Sequence, residues 1–150
     1  YAHLCHVAEE HGTLAVLEFI PWSDISDIGT AWDIVQSVNS KSAGLVFDTF
    51  HYFKGGSRLE DLQAIPREKI FMVHLCDITN EDTDLITLCR ECRVLPGEGV
   101  FDFSDVLKEL VRKGYDGYYA LEIFNRDYPK QDPMVLAGKS KKFLDGMMTS

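Results

Sequence analysis

The sequence predicts an α/β fold built on a parallel sheet, and three observations predict it. Apolar runs of strand length alternate with amphipathic helical stretches along the whole chain. The runs lie too far apart for hairpins, so each connection must cross over through a helix and return in the same direction. Four runs also end in a residue that can bind a metal: Leu-Ala-Val-Leu-Glu18, Gly-Leu-Val-Phe-Asp48, Phe-Met-Val-His74 and Tyr-Tyr-Ala-Leu-Glu122.

Taken in order, residues 1–11 read as a helix with Leu4, Val7, Ala8 and His11 on one face and Gly12 placed to end it. Residues 13–19 form the first strand, nearly all apolar, as expected when both faces are covered. Asp27 caps the next helix, whose stripe is Ile28, Ala31, Trp32, Val35 and Val38. After a polar turn come a second strand over 44–49 and a loop over 51–56. A short helix carrying Leu59 and Leu62 follows, stopped by Pro66, and residues 70–76 are the third strand. The longest connection spans 77–99, with a short helix expected inside it over 85–92; loops of this length in compact domains are usually functional. Asp102 is placed to cap a helix that turns Phe103, Val106, Leu107, Leu110 and Val111 inward and ends at Gly114. Residues 118–124 give the fourth strand, and Asp132-Pro133 opens a last helix bearing Leu136, Phe143, Leu144 and Met147. This order admits an open doubly wound sheet or part of a (β/α)₈ barrel. A complete barrel needs about 250 residues, so four units would be half of one.

A chain of 150 residues with 45% hydrophobic content is enough for one domain over residues 1–150. A net charge of −9 excludes a phosphate-backbone binder, which needs a basic stripe, so nucleic acid is not a partner. No apolar stretch reaches the roughly 20 residues of a membrane span, and the N-terminal residues lack a signal-peptide pattern. A cytoplasmic location without membrane attachment is the expectation. Cys89 and Cys92 have C-x-x-C spacing, but without a second pair they read as reduced thiols on one helical turn.

In both arrangements active residues gather at the C-terminal ends of parallel strands, where Glu18, Asp48, His74 and Glu122 fall. Two positions earlier, Val16, Val46, Met72 and Ala120 share a face with them and form an apolar floor below a polar rim. Hard oxygen donors with one imidazole suit a single divalent ion, Mn²⁺, Mg²⁺, Co²⁺ or Zn²⁺, with positions left open for substrate. Trp22 is placed to cover the apolar face of a sugar, and Lys54 with Gly55-Gly56 to meet an anionic group.

Six segments make the pattern specific: Leu17-Glu18-Phe19, Val46-Phe47-Asp48-Thr49-Phe50-His51, Val73-His74-Leu75-Cys76-Asp77, Pro96-Gly97-Glu98-Gly99, Gly114-Tyr115-Asp116-Gly117 and Leu121-Glu122. In this order they resemble the C-terminal half, about the last four β/α units, of a xylose-isomerase-like TIM barrel. That superfamily includes ketose epimerases, inosose dehydratases, hydroxypyruvate isomerases and endonuclease IV. The resemblance implies a divalent ion held by Glu18, Asp48, His74 and Glu122. It also implies an isomerase or epimerase of a small sugar or polyhydroxy ketone that works through a metal-stabilised enediolate. Glu18 and Glu122 become the acid/base pair, and His51 contacts a substrate oxygen or orients the metal shell. Ketose 3-epimerases commonly carry an arginine soon after the third-strand histidine, where this chain reads Asp77-Ile78-Thr79-Asn80; Arg93 is placed to supply that charge from the long connection. The same metal chemistry in another branch expels a β-hydroxyl, as in inosose or dehydroshikimate dehydration, and a non-catalytic half-barrel is the remaining reading. The endonuclease branch needs further histidine ligands, and no histidine follows His74. Four strands leave two open edges, so the missing strands are expected from a preceding segment or from a partner copy.

Overall fold

The computed structural model describes residues 1–148, with side chains through residue 146; Met147, expected on the stripe of the last helix, lies outside the described side chains. Two compact units are present. The first comprises residues 1–74 and 103–120, the second residues 75–102 and those from 121 onward.

The first unit opens with α1 (Ala2–Glu10), ended by Gly12 in the left-handed region at φ +63. Its buried residues are Cys5 and Ala8, and Leu4, expected inward, is 57% exposed. The stripe is therefore set by the small residues at positions 5 and 8. Strand β1 (Ala15–Glu18) leads to α2 (Ile28–Val38), where Asp27 caps as expected, accepting the Thr30 N–H at 2.9 Å. Ile28, Ala31 and Val35 are its buried face. Strand β2 (Ala43–Asp48) is buried throughout.

The loop expected after it is instead a short helix, α3 (Thr49–Lys54), because Asp48 caps it by accepting the His51 N–H at 3.0 Å. Then follow α4 (Leu59–Ala64), β3 (Ile70–Leu75), α6 (Ser104–Arg112) and β6 (Tyr118–Leu121). The N-cap position of α6 is Phe103, one residue after the expected Asp102. The fourth strand stops at Leu121, short of the expected Phe124.

The sheet order is β1-β2-β3-β6, with β1/β2 and β2/β3 parallel. Helices α1 and α2 pack on these strands. One face of the sheet is closed: Leu45, Phe47 and Val73 are fully buried with Phe19, Leu62 and Leu110. Each such burial stabilises by roughly 1.5–3 kcal/mol. The other face is closed over β2, where Val46 and Asp48 are buried, but not over β1. Val16 is 46% exposed, and Glu18, Met72 and His74 are only partly covered, so the expectation of two covered faces for the first strand is corrected. Of the expected apolar floor, Val46 is buried and Val16 is not.

The second unit holds the long connection, which carries the expected short helix together with two short strands. Strand β4 (Asp77–Ile78) pairs antiparallel with β5 (Arg93–Val94) around α5 (Leu85–Glu91), itself capped by Asp84. The last helix, α7 (Pro133–Met148), starts as expected with Pro at its first position, and Leu136, Phe143 and Leu144 are partly buried along it. Among the described residues no helix is long and apolar enough to cross a membrane.

Candidate metal centre

Parallel pairing fixes the first part of the site. Asp48 and His74 are register partners at the ends of β2 and β3, and Glu18 ends the neighbouring β1. Because alternate residues share a face, all three side chains leave the sheet on its partly open side. Each offers one donor atom, and these atoms lie within 4.8 Å of one another.

Glu18 is the most telling member. Its Oε1 is buried, stands 3.7 Å from His74 Nδ1 and 3.8 Å from His51 Nε2, and accepts no hydrogen bond. A buried carboxylate oxygen without a donor carries a desolvation cost that a cation would offset. On that observation the donor set fits a divalent ion. His74 Nε2 lies 3.1 Å from Met72 Sδ, which leaves Nδ1 as the nitrogen turned toward Glu18.

His51 reaches the same place because α3 starts at Asp48, one turn earlier. It is 4% exposed and walled edge-on by Phe19, Trp22 and Phe50, with ring centroids at 6.4, 5.8 and 5.6 Å. Those walls fix the ring and aim Nε2 at Glu18. Trp22 is 40% exposed, so one part of the indole packs against His51 while the rest is open to solvent. Lys54 ends α3 as an exposed side chain, and the Gly55 N–H closes that helix on His51 O at 2.8 Å instead of cradling an anion.

In the second unit, Glu122 follows directly on β6, and its N–H donates to Leu75 O at 3.2 Å. Its carboxylate meets Arg93, with Nη1 3.0 Å from Oε2. Arg93 has no exposed surface. Asp77, to which the sequence reading gave no role, is 1% exposed and accepts the N–H groups of Ile78, Gly97, Gly99 and Phe101 at 2.8–3.2 Å. A Cβ on Gly99 would stand 2.2 Å from Ile78 O, so the chain returns there only as glycine. Asp77 thus organises the Pro96–Gly99 turn. The available signal was an acidic residue closing an apolar run ahead of a Gly-rich segment. Cys89 and Cys92 are buried thiols not joined in a disulfide, and burial and then the hydrogen bond to Glu81 push the Cys92 thiol up.

Carboxylates and an imidazole gather at the C-terminal ends of neighbouring parallel strands, the edge where β/α proteins place their active residues. The chain belongs to the xylose isomerase-like TIM barrel family, whose model matches residues 1–146. A crystal structure of IolI protein with a bound zinc atom superposes with a TM-score of 0.87 at 31% identity, over 97% of this chain and 52% of that one. Inosose isomerase of Halalkalibacterium halodurans is 36% identical over 127 residues, covering 83% of this chain and 44% of that enzyme. A 3-dehydroshikimate dehydratase of Pseudomonas aeruginosa is 35% identical over 95 residues, 63% of this chain and 15% of that enzyme. The chain thus spans about half the length of the inosose isomerase it matches.

Proposed function

We propose that residues 1–150 are the C-terminal half of a single xylose isomerase-like barrel and carry the metal centre of an isomerase or epimerase of small polyhydroxy ketones, with inosose-type compounds as the first substrates to test. The observation that carries this reading is the convergence of Glu18, Asp48 and His74 donors within 4.8 Å of one another around a buried oxygen with no hydrogen bond. Glu122 is the fourth ligand in this reading, since it occupies the same strand-end position after β6. The similarity to an inosose isomerase and to a zinc-bound structure supports it. Inosose-type ketones are cyclic, and Trp22, beside His51, offers an apolar surface for their C–H face.

Glu18, Asp48, His74 and Glu122 would hold the divalent ion in this reading, and its Lewis acidity would acidify the C–H next to the ketone. Glu18 removes that proton and Glu122 returns one at the neighbouring position or the opposite face, as paired carboxylates can. His51 donates from Nε2 to a substrate oxygen, held in line by its aromatic walls. Lys54, an exposed residue at the end of α3, is a further candidate for substrate contact.

A lyase is the second reading, favoured by the 35% identity to a 3-dehydroshikimate dehydratase. Solvent D₂O separates the two: exchange of the substrate α-hydrogen without loss of water supports isomerisation, and a new conjugated ultraviolet absorbance supports dehydration. The remaining strands of the barrel come, in this proposal, from a preceding segment or a partner copy.

A further inference from the structure

We propose that Arg93 is a positioning residue that holds Glu122 in its ligating pose and does not itself meet substrate. The inference rests on the reading above that Glu122 is a metal ligand. Three observations carry it, all within the second unit. Arg93 Nη1 reaches both ends of one residue, Glu122 Oε2 at 3.0 Å and Glu122 O at 3.1 Å. A single nitrogen bonded to main chain and side chain fixes the glutamate's rotamer as well as its place. The far side of the guanidinium is equally occupied: Nε donates to Cys89 O and Nη2 to Cys89 Sγ, each at 3.0 Å, and the Phe124 ring lies 5.3 Å from its central carbon. The Arg93 backbone is tied as well, its N–H to Phe124 O at 3.1 Å and its carbonyl to Asn125 Nδ2 at 2.8 Å.

An arginine that binds substrate must show an open edge, and this one has no exposed surface. Its charge is directed instead at a carboxylate whose competence as a ligand depends on being held as an anion in one orientation. Partners of this kind, one step behind the ligands, typically alter metal affinity by about 10–100-fold. The cysteine attached to the other end gives Cys89 its part: it anchors the guanidinium to the last turn of α5.

The test is a double-mutant cycle on the full chain, read by calorimetric titration of Zn²⁺ alone into metal-free protein. The parent, R93M, E122Q and R93M/E122Q are compared. R93M is expected to weaken zinc binding about 10–100-fold in the parent and by less than about threefold in the E122Q background. Equal losses in both backgrounds, or no loss in R93M, overturn the proposal. Where R93M does not melt cooperatively, R93K takes its place: a loss of about 3–10-fold that vanishes beside E122Q supports the proposal, and an equal loss in both overturns it. A parent that binds no zinc, or E122Q binding as tightly as the parent, overturns the metal-centre reading and the proposal with it, and is visible without any Arg93 variant.

Discussion

At the scale of single residues, the site is organised around Glu18, whose Oε1 faces two imidazoles without a hydrogen bond. Glu18→Gln keeps the shape and removes the charge, so it should abolish tight zinc binding and lower α-proton exchange by about 10²–10⁴-fold. Calorimetry and exchange followed by NMR check the two halves separately; unchanged zinc binding would remove Glu18 from the centre. His51→Asn should cost about 10–100-fold in turnover while zinc still binds, because the ring is held by aromatic walls and not by the strands that carry the other donors. The donors Glu18, Asp48 and His74 were legible in sequence because each closes an apolar run, a pattern that depends only on strand periodicity. The clasp of Arg93 on Glu122 was not. It depends on a two-residue strand pairing that propensity cannot detect, and the arginine itself was read as facing substrate.

At the scale of elements, caps decided what the sequence reading found and missed. Asp27 was found because a helical stripe follows it; Asp48 was missed as a cap because it also ends a strand. Burial alone would raise the Asp27 carboxyl, but hydrogen bonds from the Thr30 backbone and hydroxyl and from Ser26 outweigh it and hold the group below its ordinary value. A depressed folded value stabilises above the unfolded pKa, and that contribution is lost as pH falls through the folded value. Asp27→Ala should therefore cost about 1 kcal/mol near neutrality. Thermal melts taken toward about pH 2 should bring variant and parent together; a gap that persists there would remove the charge from the account. The long connection was expected to hold one short helix, and it does; unforeseen was Asp77 at its start, which collects the N–H groups of Ile78, Gly97, Gly99 and Phe101. Asp77→Ala should destabilise by about 3 kcal/mol or more, with hydrogen exchange rising first at Gly97, Gly99 and Phe101.

At the scale of the whole molecule, the alternation of strands and helices was enough to read an α/β fold with a parallel sheet, because crossover connections leave few topologies. Burial of the strands was read less well. The apolar run of the first strand implied two covered faces, whereas Val16 remains 46% exposed on the face where Val46 and Asp48 of β2 are buried. Sequence periodicity reports which residues share a face, not what lies opposite it. If the remaining strands come from a preceding segment or a partner copy, the 150-residue chain on its own should self-associate through the open edges of its sheet. Sedimentation with calorimetry checks this, and a cooperatively melting monomer of these residues alone would contradict it.

Asp48 belongs to two grammars at once, since it is both the last word of a strand and the first of a helix. One carboxylate oxygen accepts the His51 N–H at 3.0 Å and so sets where His51 begins its turn, while the residue stands among the donors beside Glu18 and His74. The position should therefore tolerate no substitute. Asparagine would still start the helix and leave His51 in place but would be a poor anionic donor, whereas glutamate would keep the charge and unsettle the turn. A drift away from aspartate there would alter ion and histidine together, which ties the loss of either to the loss of both.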